Sequence, residues 1–259
     1  MSRPQEDGNP TPTTFAYDPD GSWPDVERDH AGAITYLDAR IGELVAYLDA
    51  HYPDTLVLFA SDNGARAASR RPRARVRRPT AGAHNEGGHD HAFFNSTGGL
   101  RGFKRSLYEG GVRSPSIARW PGTVAPGWSD HEWLFSDFLA TAAELAGVSD
   151  APATDGLSIV PELLGEKQPT HDFLYWTWVG DGFSPKHGVM GYAALRGEYK
   201  VVYKNCTTGS PRATDPVELY HLPSDPFEAA DVAAARADVA DEIRGALVAA
   251  DLSCRCYQC

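Results

Sequence analysis

Thiol chemistry is scarce in this chain: four cysteines and two methionines in 259 residues. Cys206 stands apart, while Cys254, Cys256 and Cys259 crowd the last six positions. No second cysteine pair or histidine pair lies at zinc-finger distance, which excludes a zinc-ribbon reading. The tail reads as exposed thiols, reactive or disulfide-bonded. Positive charge is also short, with 24 Lys and Arg against 35 Asp and Glu and a formal net charge of -11. The average surface would repel a phosphate backbone, which excludes general nucleic-acid binding and leaves room for a local anion site. No apolar run approaches the roughly 18 residues of a membrane span. The polar start, residues 1–9, has no apolar h-region, so no signal peptide is visible. No internal repeat is present. What is there suffices for a core: 42% of residues are hydrophobic, and the length fits one large domain or a moderate one plus a small one.

Residues 1–30 are rich in Pro, Asp, Gly and Thr and read as an irregular lead-in. From Ala31, the residues Ile34, Leu37, Ile41, Leu44 and Leu48 recur at spacings of three and four, one stripe of an amphipathic helix. Asp29 is the expected N-cap and Pro53 the stop. Thr55–Ala60 is then a short unbroken apolar run, the pattern of a strand buried on both faces in a parallel sheet. Ligands gather beyond the carboxyl ends of such strands, where Asp62 and Asn63 stand. Residues 66–78 hold seven arginines and read as part of a solvated insertion over 65–82. Trp133–Ala146 regains helical spacing, with Gly147 placed as its C′ residue. Beyond a soft boundary near 168, Phe173–Trp178, Tyr192–Arg196, Tyr199–Tyr203 and Val217–Tyr220 read as strands. A closing helix is expected near Val232–Ala250. These fix expected domains at 31–168 and 169–251, the latter a small antiparallel sheet with one covering helix, followed by the Cys-rich tail at 252–259.

Two stretches carry chemistry. Asp62 and Asn63 offer a carboxylate and an amide oxygen side by side, the donor type that hard cations such as calcium take. Read alone, Asp-Asn-Gly is more often a plain turn, with Gly64 supplying a positive φ. Lys104, Arg105 and Arg113 sit among glycines in 100–113, a setting that suits an anionic oxygen ligand such as sulfate or phosphate. By charge alone, a solvated loop is the blander account.

Together the pieces resemble a family. Ser61-Asp62-Asn63-Gly64, Asn85-Glu86-Gly87-Gly88-His89, Leu100-Arg101-Gly102-Phe103-Lys104, Leu107 through Arg113, and Arg119-Trp120-Pro121-Gly122 follow in order. Asp137 through Gly147, Asp155-Gly156, Glu218-Leu219-Tyr220 and Ser224-Asp225-Pro226 continue the series. This ordered set resembles the carboxy-terminal portion of the sulfatases, arylsulfatase-like members of the alkaline-phosphatase-like superfamily. The resemblance implies an α/β fold: part of a mostly parallel sheet with flanking helices, then the small antiparallel sheet plus helix. It implies hydrolysis of aryl or carbohydrate sulfate esters with Ca2+ and a formylglycine nucleophile. Asp62 and Asn63 match metal ligands, and Lys104 matches the lysine that holds the sulfate oxygens. His89 lies in a loop that skirts the site, with a surface histidine the better reading. A secreted, periplasmic or lysosomal-type compartment is expected for the full-length family. There Asn95-Ser96-Thr97 and Asn205-Cys206-Thr207 would act as glycosylation sequons.

The formylglycine motif, Cys/Ser-x-Pro-x-Arg, occurs nowhere in the 259 residues. The family's other acidic calcium ligands have no match before Asp62. The expectation is an incomplete, inactive fragment of a sulfuric ester hydrolase. The alternative is a non-catalytic anion-binding or interaction protein of the same fold; a phosphate-ester hydrolase, which would favour a two-metal site, fits less well. Oligomeric state cannot be read.

Overall fold

Pro24 turns the lead-in into helix α1, Asp25–His51. Its φ of -58° already suits a helix, and Asp25 and Glu27 place negative charge in the first turn, where the helix dipole favours it. The Asp18 carboxylate accepts the N–H groups of Ser22 and Trp23 and fixes the approach. The helix therefore starts four residues before the expected N-cap Asp29, which lies inside it. In the computed structural model, residues 18, 20–65, 90–148, 150, 152–179, 190–203 and 211–253 are described. They fall into two compact units, Met1–Pro53 with Asn63–Arg113 and Asp54–Asp62 with Ser114–Cys259. The four cysteines, Asn205 and all of 66–89, which takes in the arginines of the insertion, lie outside the described residues. No helix among the described residues is long and apolar enough to cross a membrane.

In the first unit, α1 meets a turn segment over 91–99. Trp23 packs edge-on against Phe93 and Phe94, and the Glu27 carboxylate accepts the Asp90 N–H at 2.8 Å. Past Gly32 the helix is largely solvated. Ile34, Leu37 and Leu44, the heart of the apolar stripe, are each about half exposed. A single helical turn, α2 (Glu109–Val112), closes this unit.

The second unit opens with β1, Val57–Ala60. Its expected parallel setting is not what its ladder shows. Among the described residues β1 pairs antiparallel with β2 (Ser116–Arg119), Phe59 facing Ile117 and Leu58 facing Ala118. A two-stranded ribbon leaves one face open, so Phe59 and Ile117 stay exposed and the expected burial on both faces is absent. Helix α3, Asp137–Leu145, is shorter than the expected Trp133–Ala146. The cause is the buried Asp137 carboxylate, which accepts the Leu134 N–H at 2.7 Å and the Leu157 N–H at 2.8 Å and also meets His171 Nε2. Residues 133–136 are drawn into a loop around it. A short helix α4 (Val160–Leu163) follows.

Four strands then form one antiparallel meander: β3 (Leu174–Val179), β4 (Met190–Arg196), β5 (Tyr199–Tyr203) and β6 (Val217–His221). Helix α5, Ala237–Ser253, lays Ala240, Ile243 and Leu247 on Tyr192, Ala194, Val201, Tyr203 and Leu219. This is the expected small sheet with one covering helix, and the mixed α/β class stands. The helix begins later than Val232 because the Asp231 carboxylate takes the Leu219 and Ala233 N–H groups, tying 231–235 to β6 as turns.

On the opposite face of β5, Lys200 Nζ meets Glu228 Oε1 at 3.0 Å with both side chains fully buried, beside the Trp176 ring. Glu228 has a φ of +54°. Removing one partner strands a buried charge, so Lys200→Met is expected to destabilise the unit by about 3–5 kcal/mol. Replacing both residues, Lys200→Met with Glu228→Leu, should restore most of that loss. Urea denaturation of the two variants checks it: equal losses in single and double replacement would show that the pair is not the cause.

Candidate functional site

The turn 61–64 leaves β1 where the strand runs out of pairing. Ser61 donates its N–H to the Pro115 carbonyl at 3.2 Å. Asp62 and Asn63 then follow with exposed side chains. Gly64 turns the chain at φ +76°, a conformation open to glycine without strain.

In the first unit, the chain leaving Gly64 meets the lysine loop directly. The Ala65 carbonyl accepts the Lys104 N–H at 2.6 Å. This backbone bond holds the start of the Asn63 segment and the Lys104 turn side by side. The loop itself closes through Gly110 N–H to the Arg101 carbonyl and Ser106 N–H to the Phe103 carbonyl, both at 2.8 Å. The Arg101 guanidinium lies 3.8 Å above the Tyr108 ring and clamps the loop's two ends. Packing here is at the limit of backbone against backbone. A Cβ on Gly111 would lie 2.1 Å from the Ser106 carbonyl oxygen, which no side chain tolerates.

Lys104 emerges half-buried between exposed Phe103 and exposed Arg105. The ring of His91 sits 4.9 Å from that of Phe103, along the same wall. Glu109 is nearly buried, with Arg113 Nη1 4.0 Å from its carboxylate. Asn63 and Lys104 thus belong to segments that the fold joins. Asp62 is linked to them through the chain, as the neighbour of Asn63 that ends the second unit's segment. His89 lies outside the described residues. Asn95, of the first sequon, is exposed at φ +49°. Two features had no signal in the residue pattern: the Arg101–Tyr108 clamp, whose partners meet only when the loop closes, and the positive φ of +79° at Arg105.

The donor types suit a hard cation, and their number does not. Asp62 and Asn63 together present two or three oxygens, against the about six to eight that calcium takes. Among the described residues no three His, Cys, Asp or Glu side chains are grouped as a metal ion requires. A cavity of about 270 Å³ in the second unit is built from other residues, Asp130, His131, Glu132 and His171 among them, and none of the candidates above lines it.

The loop geometry makes a direct prediction. Gly111→Ala is expected to cost about 1–3 kcal/mol through forced overpacking and to speed amide exchange at Lys104. Gly127→Ala, where an added Cβ meets open space, serves as the neutral control. Unaltered Lys104 exchange in Gly111→Ala would show that this packing does not hold the loop.

The chain is similar to known proteins over most of its length. The family model described as Sulfatase matches residues 4–148. The model for the C-terminal region of N-sulphoglucosamine sulphohydrolase matches residues 99–250. Arylsulfatase A of Homo sapiens is 33% identical over 216 residues, covering 76% of this chain and 37% of its own. Choline-sulfatase of Rhizobium meliloti is 31% identical over 205 residues, covering 77% and 31%. A solved sulfatase concerned with glycosaminoglycan metabolism in Bacteroides thetaiotaomicron superposes with a TM-score of 0.62 at 27% identity, covering 86% of this chain and 44% of its own. The chain spans 37% or less of the length of these two curated relatives.

Proposed function

Since this chain belongs to the sulfatase family, we propose that it supplies part of a sulfate-ester hydrolase site. Lys104 holds the negatively charged oxygens of the ester, as a flexible ammonium suited to an oxyanion. Asp62 and Asn63 give oxygen ligands to a calcium ion, which when bound would withdraw charge from the sulfate. The single observation that supports this reading best is the Ala65–Lys104 backbone bond, which joins the lysine turn to the segment that follows Asn63 within the first unit.

The nucleophile is the missing part. A formylglycine would arise from Cys/Ser-x-Pro-x-Arg, and the 259 residues contain no such motif. The same absence favours a second reading, a non-catalytic protein of this fold that binds anions or a partner. An in-frame Cys/Ser-x-Pro-x-Arg upstream in the transcript favours the hydrolase; a stop codon there with a stable short product favours the second reading.

The 259-residue chain is expected to release no fluorophore from an aryl sulfate with calcium present. Turnover that vanishes in Lys104→Ala would overturn the view that the nucleophile lies elsewhere.

A further inference from the structure

The His91 ring leaves the turn segment that packs on α1 and meets the lysine loop. Its centroid lies 4.9 Å from that of Phe103, with the two planes at 43°. Phe103 directly precedes Lys104, and its carbonyl accepts the Ser106 N–H, so it is a corner of the same turn. The other side of His91 is tied to the helix. Its neighbour Asp90 donates its N–H to the Glu27 carboxylate of α1 at 2.8 Å. The His91 carbonyl accepts the Ser96 N–H at 2.8 Å, which fixes the backbone beneath the ring. One imidazole thus stands between a segment anchored on α1 and the root of the lysine, all within the first unit.

Two polar atoms at this junction are buried without a hydrogen-bond partner: His91 Nδ1 and Glu27 Oε2. Buried polar groups are normally satisfied, so each orphan calls for a reason. His91 Nδ1 lies 3.7 Å from Asp90 Oδ1, too far for a hydrogen bond and near enough for an ion pair. That oxygen already accepts the Ala92 N–H at 3.0 Å. The charged groups around the ring are Asp90 on its own turn, Glu27 from α1, and Lys104 and Arg105 on the loop beyond Phe103. A neutral ring with its proton on Nε2 turns a lone pair toward Asp90. An imidazolium turns an N–H there instead, and a shift of less than about 1 Å would make a charge-assisted bond. Histidine makes this change of charge between about pH 5 and pH 8.

We propose that His91 is a positioning residue for the Lys104 turn: its ring holds Phe103, and protonation, by pairing His91 with Asp90, makes that hold firmer. The sign follows from the pairing. The bond exists while the ring carries its second proton, so the turn is tightest in mild acid and loosens as the pH rises through neutrality. An anionic oxygen ligand on Lys104 is then held better in mild acid. That last step rests on the assignment of Lys104 above, and the test separates the two.

Two quantities are measured on the intact chain at about pH 5.5 and about pH 8, with His91→Phe, His91→Ala and Lys104→Ala alongside. One is the protection factor of the Lys104 amide in hydrogen exchange, corrected for the intrinsic rate at each pH. The other is binding of inorganic sulfate by titration. In wild type the Lys104 amide should be about fivefold to tenfold better protected at the lower pH, with tighter sulfate binding there. His91→Phe keeps a ring against Phe103, so protection at the higher pH should stay within about twofold of wild type, with no gain in acid. His91→Ala should lose about fivefold to tenfold at both pH values. Unchanged protection at Leu44, in the middle of α1, shows that the variants fold. Lys104 protection in His91→Ala equal to wild type overturns the positioning role. An equal rise in acid for His91→Phe and wild type overturns the part given to the proton. Sulfate binding that is absent in wild type, or untouched by Lys104→Ala, overturns the assignment of Lys104, while the exchange data alone decide the role of His91.

Discussion

One short backbone contact governs the rest of the candidate site: the Lys104 N–H on the Ala65 carbonyl. A lysine side chain is long and mobile, and fixing its end would be of no use if its root wandered. The contact removes that freedom at the backbone. It forms because the loop can approach so closely, and that approach requires glycine. At Gly110 an added Cβ would lie 2.5–2.8 Å from three carbonyl oxygens, and at Gly111 only 2.1 Å from one. The glycines that look in the sequence like loop filler are instead the points where backbone packs on backbone.

Much of the fold was legible in the residues. The four C-terminal strands fall within two residues of their expected bounds, since alternating and β-branched runs report half-buried strands well. The stripe of α5 was right at Ile243 and Leu247, which are buried against the sheet. Helix starts were less legible. Three of them were moved by aspartates whose partners lie far along the chain or in a preceding turn: Asp18 before α1, Asp137 at α3 and Asp231 before α5. A carboxylate that accepts backbone N–H groups from a distant segment overrides local periodicity, and nothing in the local pattern marks it.

The stripe of α1 teaches a different lesson. Periodicity correctly placed the helix and its apolar face, yet Ile34, Leu37 and Leu44 stay about half exposed. Spacing reports that a face is suited to burial, not that a neighbour is present to bury it. The same separation applies to Phe59 and Ile117 on the β1–β2 ribbon, whose apolar faces meet each other across the strands and solvent outside. In a chain that spans 37% of arylsulfatase A, a pattern inherited from the family and the burial achieved by these residues need not agree.

The site candidates divide along the same line. Asp62, Asn63 and Lys104 are proposed from ordered motifs, because each motif is local in the sequence. The positive φ at Arg105 has no such mark, since a dihedral angle is not a residue spacing. Calcium sets the stricter test of the two kinds of reasoning. A cation of this size is held by the count of oxygens converging on it, and a count is a property of the assembled fold. Two adjacent donors on an exposed turn give affinity only to the extent that water completes the shell, so their identity suits a hard cation without securing one. Lysine is less dependent on company. A single ammonium on a fixed root still attracts an oxyanion, so the proposed role of Lys104 leans less on further groups than that of Asp62 or Asn63.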